Sequence, residues 1–130
     1  MPFINVLVAH PSDQTLARRI AGGVSERTVR ILRKSPELTA AAVNFIPDGQ
    51  WLVGGRPLEQ RETSSYRLTV TVTAGTNTPA EKAAYLAEIH AFMADTLGAV
   101  RPESYAVVHE VPADSWGFAG ITQAARRSAT

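Results

Sequence analysis

Hydrophobic positions along the chain fall into two rounds of the same rhythm. Phe3 to Ala9 is a β-branched-rich run, stopped by His10-Pro11-Ser12-Asp13, whose proline and small polar residues suit a turn and a helix cap. A helix is predicted next. Leu16, Ile20, Val24 and Ile31 share a face at helical spacing, while Arg18, Arg19, Arg27, Arg30 and Arg33 point mostly elsewhere. Gly22-Gly23 weakens this helix by roughly 1 kcal/mol per glycine against alanine, so close packing on the sheet or a local irregularity is expected there. Ser35-Pro36 ends it. Ala40 to Ile46 reads as a second buried strand, Pro47-Asp48-Gly49 as a turn, Trp51 to Gly55 as a short extension, and Arg56 to Ser65 as a polar connector.

The second round is cleaner. Leu68, Val70 and Val72 alternate strictly with Thr69, Thr71 and Thr73, the period of a strand. Thr78-Pro79-Ala80-Glu81 combines an N-cap, a first-turn proline and a capping-box glutamate, so a helix is predicted to begin at Thr78. Tyr85, Ile89, Phe92, Met93 and Leu97 form its apolar stripe, Gly98 closes it, and Tyr105 to Val111 is the fourth main strand.

Ile46-Pro47 with Trp51 and Gly55 recurs as Val111-Pro112 with Trp116 and Gly120, an internal repeat of about 65 residues. Each half is a β-α-β unit, whose crossover is right-handed and whose strands are parallel. The expected fold class is therefore α+β: a single domain over 1–130, made of two pseudo-repeats at about 2–62 and 66–125, forming a four-stranded mixed sheet with two helices on one face. No further helix is read from the sequence, so the other face is expected to be apolar and bare, covered by other copies of the chain.

Composition narrows the function classes. With 130 residues and 45% hydrophobic content the chain holds one real core. Thirteen basic against twelve acidic residues give a net charge of +1, too weak a field to recruit nucleic acid or an anionic membrane. The absence of cysteine excludes disulfides, cysteine nucleophiles and thiolate metal sites. His10, His90 and His109 share no metal-ligand spacing, and His90 is expected on a helix surface. Without a signal peptide or membrane-length apolar run, the expected location is the cytoplasm.

One feature carries chemistry. Pro2 stands directly behind Met1 at the mouth of the first strand; removal of Met1 leaves a secondary amine on a rigid ring. At the edge of an apolar sheet that amine is expected to lose hydration in its charged form and to ionise below the usual value of ~8. It is then a general base near neutrality. The competing reading is a proline that starts an edge strand, where no amide donor is needed.

Pro2 at the first strand and the run from Val107 to Gly117 resemble the tautomerase superfamily, which includes 4-oxalocrotonate tautomerase and macrophage migration inhibitory factor. The resemblance covers nearly the whole chain and implies a fused pair of the short β-α-β subunits. It further implies the tautomerase fold, a homotrimer, and a keto-enol or 1,3-proton shift in an enol or 2-oxo acid substrate. No metal or organic cofactor is implied, and neither nucleic acid nor membrane is expected as a partner. By the same resemblance Pro2 is the proton shuttle, Trp116 walls the pocket and Trp51 is its counterpart in the first half.

The two arginines with which short tautomerases hold a dicarboxylate are replaced. The first position reads His10-Pro11 or, in the repeat, Gly75-Thr76, and the second reads Ala40 or Tyr105. Tyr105 is a candidate donor to an enolate oxygen. Arg67 occupies roughly the place of Pro2 in the second unit, as a carboxylate binder or a solvated arginine. Lys34 lies near a pocket lysine of the family, or complements a helix end. Trp51 and Trp116 read equally as core or interface aromatics. The alternatives of another class are dehalogenation or decarboxylation within the superfamily, a ferredoxin-like binding module, and an interaction subunit without catalysis.

Overall fold

A computed structural model describes residues 2–58 and 63–128. Strand β1 (Phe3–Ala9) leads into helix α1 (Gln14–Leu32), and the chain returns as strand β2 (Ala40–Ile46). Asp13 caps α1 by accepting from the Leu16 N–H at 3.0 Å. The second unit repeats this with strand β5 (Tyr66–Thr73), helix α2 (Pro79–Leu97) and strand β6 (Tyr105–Val111). Thr78 and Glu81 form the expected capping box at the head of α2, and Gly98 caps its end. Between and after the units lie two short hairpins. The first joins β3 (Leu52–Val53) to β4 (Arg56–Pro57); the second joins β7 (Gly117–Phe118) to β8 (Ile121–Thr122).

The sheet order is β2-β1-β5-β6, with β1 parallel to β2, β5 parallel to β6, and the two units meeting antiparallel through β1 and β5. In a ferredoxin-like split β-α-β unit another strand separates the parallel pair. Here each parallel pair is adjacent, so that alternative is overturned by topology.

Even-numbered residues of β1 and β5 face the helices. Ile4, Val6, Val8, Leu68 and Val70 are fully buried there with Ile20, Val24 and Leu32 of α1 and Tyr85, Ile89 and Met93 of α2. The helices also share a buried polar contact. Thr28 Oγ1 donates to the Val24 carbonyl at 2.7 Å, which leaves the Tyr85 hydroxyl to donate to Thr28 Oγ1 at 2.8 Å. At Gly23 the two helices pack closely: a Cβ there would overlap the Phe92 ring. The close packing expected at Gly22-Gly23 is thus against the second helix and not against the sheet.

Several expectations are corrected. β2 is half-covered instead of buried, because it is an edge strand. The outer face is mixed: Phe3, Tyr105 and Val107 are exposed on it, but Asn5, Asn44, Thr69, Thr71 and His109 share it. A third helix, α3 (Gln123–Ser128), exists; it is tied to the second hairpin by the Gln123 and Ala124 N–H groups, which donate to the Trp116 and Ala113 carbonyls. His90 is exposed, yet its Nδ1 lies 2.9 Å from the Tyr66 hydroxyl. Of the expected connector from Arg56 to Ser65, Arg56–Pro57 forms β4 and residues 59–62 lie outside the described part, as does Met1.

Candidate active site

Pro2 is buried, and its carbonyl accepts from the Ala40 N–H at 3.3 Å. Phe3, next along, pairs with Ala40 on one side and Thr71 on the other; one further step of the antiparallel register sets Pro2 beside Val72. The start of the first unit therefore lies against the end of the second unit's leading strand. That end also anchors the second hairpin, since the Trp116 indole N–H donates to Thr73 Oγ1 at 3.2 Å.

Lys34 comes to the same end of the sheet. α1 runs back toward the start of β1, and just past its last turn Lys34 Nζ donates to Thr76 Oγ1 at 3.0 Å. Thr76 donates in turn to the Thr73 carbonyl at 2.6 Å, and Asn77 Nδ2 donates to the Leu32 carbonyl at 2.8 Å, clamping the turn after β5 to the exit of α1. Partial burial holds the Lys34 ammonium below the ordinary lysine value, against the opposing charge of Glu81. Thr73 and Asn77 escaped the sequence reading because their roles arise only from the antiparallel docking of the two units. Thr76 was noted only as filling a lost arginine position, and the structure sets a cation beside it.

Arg67, Tyr105 and Trp51 lie elsewhere. Arg67 pairs with Leu7 of β1 and with Tyr105 of β6, five residues along β1 from Pro2, or about 16 Å at strand rise. Neither Tyr105 nor Arg67 spans that gap, so neither serves the Pro2 nitrogen of its own chain. With Trp51, Leu52, Ile46 and Leu7 they line a separate cavity of about 620 Å³ under the first hairpin.

The register also shifts the expected equivalence of Arg67 and Pro2 by one residue. Phe3 pairs with Ala40 as Arg67 pairs with Tyr105, so Arg67 corresponds to Phe3, and Tyr66 to Pro2. Tyr66 is buried, and burial pushes its hydroxyl up to about 12. The two ends of the sheet are thus related in outline and different in chemistry: Pro2, Trp116 and Lys34 at one, Arg67, Trp51 and Tyr105 at the other. Among the described residues no three His, Cys, Asp or Glu side chains come together to hold a metal, and no helix is long and apolar enough to cross a membrane.

The architecture is that of a fused tandem β-α-β protein, and comparison with known proteins agrees. Residues 68–126 match the family model described as Tautomerase enzyme. No curated protein matches the chain in sequence. Among solved structures, Pt0534 inactivated by 2-oxo-3-pentynoate is similar with a TM-score of 0.84 at 17% identity, covering 95% of this chain and 98% of that one. The asymmetric trimer of the wild-type R7 fused 4-OT gives 0.84 at 18% identity, covering 96% and 98%. FG41 malonate semialdehyde decarboxylase inhibited by 3-bromopropiolate gives 0.76 at 18% identity, covering 97% and 96%. Residues 68–126 are thus similar to the Tautomerase family model, and the chain as a whole shares the fold of the fused 4-OT structures.

Proposed function

We propose that the chain is a cofactor-independent tautomerase that moves a proton between oxygen and carbon in an enol or 2-oxo acid, with the amine of Pro2 as the shuttle once Met1 is removed. The observation that carries this reading is a proline next to the initiator, buried at the start of the central strand β1 and beside the end of β5. Burial disfavours the ammonium, so the amine is neutral and basic near pH 7. It takes the enol hydroxyl proton, leaving an enolate whose charge is spread to carbon, and the resulting ammonium returns the proton to that carbon. Lys34, beside the position where short tautomerases carry an arginine, holds the substrate carboxylate; Trp116 walls the apolar part.

A homotrimer fits the exposed Phe3, Tyr105 and Val107 of the outer face, and fused 4-OT structures among the similar proteins are trimers. An interface of that kind buries upwards of ~2,000 Å² in total. Light scattering at micromolar concentration is expected to give three chains; a monomer contradicts the assembly.

One lysine in place of two arginines favours a substrate with one carboxylate. Losing a bidentate charged contact costs on the order of 1.5–3 kcal/mol, tenfold or more in specificity. Ketonisation followed by ultraviolet absorbance is therefore expected to be faster, in kcat/KM, for phenylenolpyruvate than for 2-hydroxymuconate. The reverse order refutes the assignment of Lys34 as the sole carboxylate partner, and no turnover of either refutes the tautomerase reading. The similarity to malonate semialdehyde decarboxylase keeps a second chemistry in view, in which an enolate forms by loss of carbon dioxide. Carbon dioxide release from a 3-oxo acid without enol turnover would favour it.

A further inference from the structure

We propose that the Thr73 hydroxyl is the hydrogen-bond donor to the 2-oxygen of the substrate, set in place by the Trp116 indole. The proposal rests on the tautomerase reading above and supplies what that reading lacks, a group that steadies the enolate oxygen. Thr73 is buried at the end of β5, 8% exposed, and its Oγ1 accepts from the Trp116 indole N–H at 3.2 Å. The indole occupies a lone pair, so the hydroxyl proton is left to donate, and no acceptor for it is found among the described residues.

The place of this donor fits an oxygen bound at Pro2. The antiparallel register that sets Pro2 beside Val72 carries the Pro2 nitrogen, the end of the clipped chain, toward Thr73, the next residue of β5. Facing residues in such a ladder have Cα atoms about 4.5–5.5 Å apart, close enough for one substrate oxygen to meet both amine and hydroxyl. The Thr73 carbonyl accepts from Thr76 Oγ1, which accepts in turn from Lys34 Nζ, so the hydroxyl and the carboxylate partner are fixed to one turn. The arrangement is particular to this end of the sheet. Ala9 pairs with Ile46 as Thr73 pairs with Val111, so the first unit offers Trp51 no hydroxyl at that position. As the Pro2 amine takes the enol proton, negative charge grows on the 2-oxygen. Thr73 donates to it without giving up its own proton, and the indole bond strengthens that donation.

The test measures kcat and KM for phenylenolpyruvate ketonisation in the Met1-removed enzyme and in Thr73→Val, Thr73→Ser and Trp116→Phe. Thr73→Val keeps the β-branched shape and is expected to lower kcat by roughly 10², with KM little changed. Thr73→Ser is expected to restore most of that rate. Trp116→Phe should lower kcat in the wild type and not in Thr73→Val, because the indole acts through the hydroxyl. The midpoint of the pH dependence of kcat/KM, which reports the free amine, should stay in place in Thr73→Val. A midpoint that moves makes Thr73 a partner of the amine and overturns the assignment to the oxygen. So does Thr73→Ser no faster than Thr73→Val, or a further fall in kcat when Trp116→Phe is added to Thr73→Val. Should Thr73→Val lose its circular dichroism, Thr73→Ala carries the same comparison. Absent turnover by the unaltered enzyme sinks the tautomerase reading and this proposal together, whereas wild-type turnover that survives Thr73→Val sinks this proposal alone.

Discussion

Replacing Gly22 or Gly23 of α1 by alanine separates two effects that the sequence leaves superimposed. Both substitutions gain helix propensity of about 1 kcal/mol. A Cβ at Gly22 meets nothing within 4 Å, so Gly22→Ala is expected to stabilise the fold by roughly that amount. A Cβ at Gly23 overlaps the Phe92 ring, which is packed against the core. That ring has little freedom to retreat: the Arg27 guanidinium stacks on it with Cζ 4.3 Å from the centroid and donates to the Gly23 carbonyl at 3.1 Å. Overpacking of this kind costs about 1–3 kcal/mol, and disturbing the stacked cation adds about 0.5–1 kcal/mol. The net for Gly23→Ala is a loss of roughly 0.5–3 kcal/mol, so the two variants are expected to differ by about 1.5–4 kcal/mol. Urea denaturation of both at one protein concentration measures the difference, with an unchanged slope confirming that stability alone has moved. If Gly23→Ala is as stable as Gly22→Ala, the helices do not pack at Gly23 as described.

Burial holds the Tyr85 hydroxyl up to about 12, above its ordinary value of 10.0. A raised acid favours the protonated folded state, so this stability is fully present below about pH 10 and is lost as pH rises through about 12. Tyr85→Phe is expected to cost about 1 kcal/mol at neutral pH, from the lost hydrogen bond to Thr28, yet to flatten the alkaline fall in unfolding free energy. An unchanged alkaline slope would refute the burial. Lys34→Met is expected to raise KM for phenylenolpyruvate about tenfold with kcat little changed. Because burial lowers the Lys34 pKa, the wild-type KM should climb at a pH below the ordinary lysine range as the ammonium is lost. An unaltered KM in the variant would leave Lys34 as a clamp on the turn at Thr76 and nothing more.

The fold was legible where local signals and tertiary packing agree. The period-2 run from Leu68 to Thr73 and the cap at Thr78 needed no long-range information: α2 begins directly after that cap, and β5 contains the whole run, starting two residues before it at Tyr66. Helix α3 was missed because a segment as short as Gln123–Ser128, made mostly of alanine and arginine, shows no apolar periodicity. Within one chain the candidate residues divide between the two ends of the sheet for a topological reason. Alternation along one strand cannot tell which end meets which, and the antiparallel docking of β1 on β5 alone puts Trp116 near Pro2 and sends Tyr105 and Arg67 away. The one-residue slip in equivalence has an equally local cause. The segment between Thr73 and the cap Thr78 is one residue longer than that between Ala9 and the cap Asp13, so strands and helices of the two units keep different offsets.

The claim on which the account turns is that the nitrogen of Pro2 is a free, basic amine during turnover. It is tested most directly by preparing the same sequence with Met1 removed and, with methionine aminopeptidase blocked, with Met1 retained. Intact mass identifies each form before phenylenolpyruvate ketonisation is measured on both. Acylation by Met1 turns the amine into an amide with no basic lone pair, so the retained form is expected to be slower by roughly 10² or more, with its circular dichroism and assembly size unchanged. Equal rates from the two forms would contradict the account and leave Pro2 as the start of a strand.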